Sequence, residues 1–163
     1  MKKITLSKGI IAVISCLLVG IISGFATRSS IETWYPTLIK PIFNPPNWLF
    51  APVWIILYVL LGLSVAIIWS RPGKSRNSKL QQKNAITIFV IQMIFNALWP
   101  FLFFGLCNPF LAFIEIVLLW LLIFETIKVF KKLDIQASKL LYPYLIWVSF
   151  AVILNGSIWY LNS

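Results

Sequence analysis

Histidine is absent from the 163 residues, and only four are acidic. Without histidine there is no Ser/His/Asp triad, no histidine-based zinc site and no common axial ligand for haem iron. The two cysteines, Cys16 and Cys107, have neither the spacing of a metal knuckle nor a partner set for a disulfide framework. No glycine-rich phosphate loop occurs among the seven glycines. Conventional hydrolytic, metal and nucleotide chemistry therefore have no residues to stand on, and no metal site is expected.

What the chain has instead is apolar length. Hydrophobic residues make up 60% of it and the mean hydropathy is +0.92. Five runs reach the roughly 20 residues that a membrane-crossing helix needs. They are placed near Gly9–Thr27, Ala51–Ser70, Ala85–Leu106, Pro109–Val129 and Leu140–Leu161. The runs do not alternate as barrel strands must. The expectation is an all-α integral membrane protein, a five-transmembrane-helix bundle forming a single domain over residues 1–163.

A net charge of +10 would suggest nucleic acid in a soluble chain, but here its placement reports topology and no nucleic-acid partner is expected. Lys2, Lys3 and Lys8 precede the first run. Arg71, Lys74, Arg76, Lys79 and Lys83 follow the second, and Lys128, Lys131, Lys132 and Lys139 surround the fourth gap. Twelve basic residues thus fall on one side, against Arg28 and Lys40 on the other. The basic side is predicted to be cytoplasmic and lipid-contacting, with the N-terminus inside and the C-terminus outside. Val13-Ile14-Ser15-Cys16 resembles a lipoprotein processing site, yet the apolar run continues past it, so the first helix is expected to be retained. Gly20 and Gly24 form a GxxxG pair suited to close helix packing, within the bundle or between protomers.

Between the first two runs, Trp34 to Ala51 carries Pro36, Pro41, Pro45 and Pro46 among Trp34, Tyr35, Phe43, Trp48 and Phe50. Those prolines exclude a regular helix, and rings in that number call for a surface to bury against. An ordered lid is expected, with Pro52 in the first turn of the following helix. Three helices then present polar or aromatic faces. Gln92, Asn96 and Trp99 share one; Tyr144, Trp147, Ala151 and Asn155 another; Trp54, Tyr58 and Gly62 a third. Such faces make either a ligand pocket or interhelical packing. Trp69, Trp120 and Trp159 read as belt or packing residues. Glu115, deep in the fourth run, reads as a structural polar contact or a proton-coupled group. Glu125 reads as the partner of Lys128.

Several motifs resemble the TspO/MBR family, the tryptophan-rich sensory and translocator proteins also known as peripheral-type benzodiazepine receptors. They are Trp34-Tyr35, Lys40-Pro41, Asn44-Pro45-Pro46-Asn47-Trp48, Pro52-Val53-Trp54 and Tyr58, with FNALWPFLFFGLCNP at Phe95–Pro109 and PYLIWVSFAVILN at Pro143–Asn155. The resemblance implies a five-helix fold, commonly a homodimer, with a cavity under the first loop. It implies binding of tetrapyrroles such as protoporphyrin IX and haem as ligands, with no required cofactor, and of isoquinoline carboxamides. Positions matching the family's motifs are Tyr35, Pro45, Trp54, Asn96, Trp147 and Ala151; Tyr58, Gln92 and Trp99 join them from the helix faces. In some relatives, tryptophans matching Trp54 and Trp147 are implicated in light- and oxygen-dependent porphyrin breakdown, which would make them the catalytic pair. The function implied is a membrane tetrapyrrole-binding sensor or regulator; light- and oxygen-dependent degradation of the ligand, by enzymatic turnover or by photochemistry in the pocket, is an open addition to it. The alternative is a small transporter of porphyrins or other amphipathic molecules, against which stands the lack of an inverted repeat. Setting is expected to be a bacterial-type cell membrane. The sterol pattern of animal relatives is incomplete: Leu154–Ser163 keeps Tyr160 but has no basic residue after it.

Overall fold

The computed structural model describes residues 5–73 and 75–163. Lys2, Lys3 and Lys74 of the basic side lie outside these described residues. Helix α1 spans Leu6–Thr33, α2 Asn47–Trp69, α3 Arg76–Pro100, α4 Pro109–Leu133, α5 Ile135–Lys139 and α6 Tyr142–Leu161. Five helical stretches are long and apolar enough to cross a membrane, and the chain is an integral membrane protein. Exposed Ile10, Ile14, Leu18 and Ile21 on α1, like Ile146 and Ile153 on α6, form the lipid-facing surface.

Helix ends differ from the hydropathy reading, and local capping explains why. Ser75 and Ser78 form a reciprocal capping box, each hydroxyl accepting from the other's amide at 3.2 and 3.0 Å. This starts α3 nine residues before the apolar run, so Arg76, Lys79 and Lys83 are helical rather than in a loop. Asn108 caps α4 through Leu111 N–H at 3.0 Å, with Pro109 in the first helical position. Asp134 accepts from the amides of Gln136 and Ala137, nucleating α5 ahead of α6. Helix α1 runs past the predicted Thr27 to Thr33, with Arg28 paired to Glu32 on its exposed surface.

Pro52 is not in the first turn of α2 as expected. The helix starts at Asn47, with Pro46 in extended conformation before it, and Pro52 lies inside. The proline's only backbone debt is the Trp48 carbonyl, in the opening turn where water or headgroups reach it. Pro100 likewise offers no N–H to the Asn96 carbonyl. The chain beyond it widens into a π turn, Phe101–Gly105, with Leu106 N–H donating to Phe101 C=O at 2.8 Å. Cys107 then ends the turn at φ 50°.

The long helices form a ring in the order α2, α1, α3, α4, α6, with α2 and α6 meeting only sparsely. Gly62 allows the tight α1–α2 crossing, because a Cβ there would fall 2.5 Å from the Val13 Cα. Of the GxxxG pair, Gly20 lies against the Tyr58 ring within the bundle, while a Cβ at Gly24 would meet nothing within 4 Å. At the basic end, Ser64 donates to the Ala137 carbonyl at 2.7 Å and Arg71 pairs with Asp134 at 3.5 Å, so α5 straps α2 to the rest. Gln82 satisfies the end of α2 by donating to the carbonyls of Ile68, Trp69 and Arg71.

Candidate functional site

At the other end the segment between α1 and α2 folds over the bundle. Trp34 meets Phe103 edge-on at 5.6 Å, and Tyr35 meets Phe104 at 5.6 Å. The Tyr35 hydroxyl donates to Asn44 Oδ1 at 3.1 Å, and Asn44 Nδ2 donates to the Pro45 carbonyl at 3.0 Å. Burial raises the Tyr35 pKa, partly offset by the Asn44 contact. Lys40 lies 4.6 Å over the same ring. Asn162, at the end of α6, grips Ile39 through both its amide and its carbonyl. The lid is therefore ordered by contacts, but not every ring joins it. Trp48 is 72% exposed and Ile42 fully so, contrary to the expectation that the whole aromatic set buries. Their place at the bundle's end suits a membrane interface.

Near the lid, the sparse α2–α6 seam forms a hollow of about 270 Å³ that opens to the outer surface of the bundle, where Ile56 and Ile146 are exposed. Val53, Ile56 and Leu57 of α2 face Pro143, Ile146, Trp147 and Phe150 of α6 across it. Phe50 packs edge-on against Trp147 at 6.1 Å, and Phe43 against Phe150 at 6.3 Å, so the lid and the wall share their rings.

A polar chain backs the seam. Tyr58 on α2 donates to Asn96 Oδ1 at 2.6 Å, and Asn96 Nδ2 donates to the Tyr144 hydroxyl of α6 at 2.8 Å. All three are buried. Trp54 covers this chain, 5.6 Å from the Tyr58 ring and 6.3 Å from that of Tyr144. Nearer the lid, Trp99 Nε1 donates to Asn155 Oδ1 at 2.9 Å, and Asn155 Nδ2 reaches the Pro109 carbonyl at 2.8 Å. These rungs hold α2, α3, α4 and α6 at fixed spacing.

The sequence-predicted residues thus fall in three neighbouring places. Trp147 lines the hollow, with Ala151 partly buried one turn along. Trp54, Tyr58 and Asn96 form the polar and aromatic backing. Tyr35, Pro45 and Trp99 belong to the lid-end cluster, where Trp99 stacks on Phe103 at 5.2 Å. Gln92, one turn from Asn96, is fully buried, and neither its Nε2 nor its Oε1 meets a hydrogen-bond partner among the described residues. Glu115 is 4% exposed and equally unpartnered there, so no structural polar contact accounts for it. Glu125 does pair with Lys128, at 2.7 Å.

Sequence reasoning missed Phe50, Phe150 and Ile146 as site residues. Phe150 stands one turn beyond Trp147, which was the available signal; which face of α2 meets α6 had none. Trp120 donates to Ser149 at 2.7 Å and stacks on Phe124, while Trp159 lies against Phe110 and Phe113. Both are packing residues away from the hollow. A wider groove of about 530 Å³ on the outer face of α4 and α6 contains Tyr160, Pro41 and Gly156 but none of the predicted residues. Among the described residues no three His, Cys, Asp or Glu side chains gather to hold a metal.

The sequence matches the TspO/MBR family over residues 12–161. It is 40% identical over 147 residues to the tryptophan-rich protein TspO of Chlorobaculum tepidum, a match covering 90% of each chain. Identity to TspO of Archaeoglobus fulgidus is 38% over 156 residues, 96% of this chain and 97% of that one. To the tryptophan-rich sensory protein of Cereibacter sphaeroides it is 34% over 131 residues, 80% and 78% of the two chains. With five membrane helices, a proline-aromatic lid and a match of this extent, the chain belongs to the TspO/MBR family.

Proposed function

We propose that this protein is a membrane sensor or regulator that binds a flat tetrapyrrole, protoporphyrin IX or haem, at the α2–α6 hollow. The observation carrying this reading is the aromatic and apolar seam itself. Trp147 and Phe150 form one wall, Phe50 and Phe43 of the lid segment meet those two rings edge-on, and the Tyr58–Asn96–Tyr144 chain stands behind. A ring of that kind offers two π-faces and a rim of methyl and vinyl groups with two propionates on one edge, and stacking residues recognise its faces without a metal ligand. At about 270 Å³ the hollow is slightly below the ~300–1,000 Å³ usual for small-molecule sites. Binding therefore involves widening of the seam, with part of the ring facing the bilayer. The name of the Cereibacter sphaeroides relative, a sensory protein, supports the sensing role.

The same reading takes Trp147 at the wall and Trp54 on the backing as electron donors to a photoexcited ring, with oxygen from air as the oxidant in light-driven loss of the ligand. The test is bleaching of bound protoporphyrin IX under illumination in air. Trp147→Phe and Trp54→Phe should retain dark affinity to within about 1 kcal/mol, since a phenyl face remains, yet bleach several-fold more slowly. Trp120→Phe serves as the control. Bleaching at the wild-type rate in both variants would leave binding and remove the chemistry.

A further inference from the structure

The cations at the basic end of the bundle are of two kinds, and most of them serve the fold. Arg71 pairs with Asp134 and Lys128 with Glu125. Lys8 donates to the Trp69 carbonyl at 3.2 Å and lies over the Trp69 ring. Lys131 and Lys132 stand in the last turn of α4 and Lys139 in the last turn of α5, where the helix dipole favours positive charge. Arg76, Lys79 and Lys83 of α3 are different. All three are exposed, and Arg76 and Lys79 stand in the first turn, where the dipole opposes a cation and no acidic residue offsets it. The chain has no carboxylate left for them. Of its four acidic residues, Glu32 pairs with Arg28, Asp134 and Glu125 are taken, and Glu115 is buried in α4.

The side of α3 on which they lie is the second observation. Arg76, Leu80 and Lys83 recur at helical spacing, with Lys79 beside Leu80. The same line continues along the membrane-spanning part through Thr87, Val90 and Ile94, all exposed. One face of α3 is thus cationic at its end and apolar beyond it, with no neighbouring helix covering it. Arg76 and Lys83 are seven residues apart, about 10 Å along the axis, and long basic side chains at such a position reach toward the headgroups. In the ring of helices this face lies across from the α2–α6 seam.

We propose that this face of α3 is a binding site for an anionic phospholipid, with its phosphate among Arg76, Lys79 and Lys83 and an acyl chain along Thr87, Val90 and Ile94. Charge complementarity selects the occupant. Three cations without a carboxylate match a headgroup of net negative charge better than a zwitterionic one, which brings its own cation. A soluble acidic protein would meet the charges but not the apolar line inside the bilayer. A second copy packed in parallel along α3 would set the two basic ends against each other. The site is separate from the hollow and holds whatever ligand the hollow takes.

The test is native mass spectrometry of the full chain from detergent, titrated with phosphatidylglycerol or with phosphatidylcholine. Two triple variants remove the same charge from the same end of the bundle: R76Q/K79Q/K83Q on α3, and K131Q/K132Q/K139Q on α4 and α5. Each basic residue near an anionic headgroup contributes roughly five-fold, so the first phosphatidylglycerol should bind wild type at least about ten-fold more tightly than phosphatidylcholine. The α3 variant should lose that preference and the α4–α5 variant should keep it. Phosphatidylglycerol should also raise the thermal unfolding temperature of wild type but not of the α3 variant, whose own unfolding without lipid shows that it is folded. Equal loss of preference in both variants would mean attraction to the basic end as a whole and would overturn the site. Preference retained by the α3 variant would overturn it too. So would the absence of any preference in wild type, including the case in which a second copy is found along α3 instead.

Discussion

Asn162 and Ile39, 123 residues apart, are joined like paired strands: Asn162 Oδ1 accepts from the Ile39 amide and Asn162 Nδ2 donates to its carbonyl, both at 2.9 Å. The end of α6 thereby fixes the middle of the lid. Asn162→Ala removes both bonds, each worth about 0.5–1.5 kcal/mol. Amide exchange across Leu38–Ile42 should accelerate by roughly ten-fold or more, while the turn at Ser70–Gly73 keeps its rate. Unchanged exchange in the lid would show that its rings alone hold it.

Gly20 and Gly24 should respond differently to the same change. A Cβ at Gly20 would fall 2.3 Å from the Tyr58 ring, whereas one at Gly24 meets nothing within 4 Å. Gly20→Ala should destabilise the protein by about 1–3 kcal/mol by displacing Tyr58. Gly24→Ala should be near neutral. Thermal unfolding in detergent separates the two, and equal effects would place the helix contact elsewhere.

Within the polar chain, Tyr58→Phe leaves Asn96 Oδ1 without its donor. An orphaned buried acceptor costs about 1–3 kcal/mol in water-soluble proteins, and hydrogen bonds between membrane helices average about 0.6 kcal/mol. A loss near 1 kcal/mol is expected. Tyr144→Phe should cost a similar amount, and the double variant should cost less than the sum, because both act through Asn96. Strict additivity in that cycle would mean the two tyrosines are not coupled.

The five spans and the inward faces were readable because each rests on a local period: twenty apolar residues for a span, and i, i+4 spacing for Asn96 beside Gln92 or Trp147 beside Ala151. Helix ends were not, since they depend on short polar signals inside basic segments, Ser75 with Ser78 and Asp134 before α5. Pro52 misled for a related reason. A proline marks the first turn only when no earlier residue starts the helix, and Asn47 does. The hollow was unreadable in place although its ring residue Trp147 was named. In a membrane protein both outer and inner helix faces are apolar, so hydropathy does not say that α2 and α6 are neighbours, nor that they meet loosely.

The basic asymmetry, twelve residues against two, predicts a cytoplasmic N-terminus and an outside C-terminus. An alkaline phosphatase fused after Ser163 should be active in a bacterial host, and a green fluorescent protein fused there should be dark. The opposite pattern would place the lid in the cytoplasm.

The central claim, that a tetrapyrrole occupies the seam between α2 and α6, is tested most directly by filling that seam. Ile146 lines the hollow, is 69% exposed and makes none of the polar bonds of the core. The measurement is a visible-absorbance titration of purified protein with protoporphyrin IX in the dark, wild type against Ile146→Trp, with thermal unfolding confirming that both are folded. The account predicts saturable binding by wild type and affinity at least ten-fold weaker in the filled variant. Equal saturable binding by both, or no saturable binding by wild type, would contradict it.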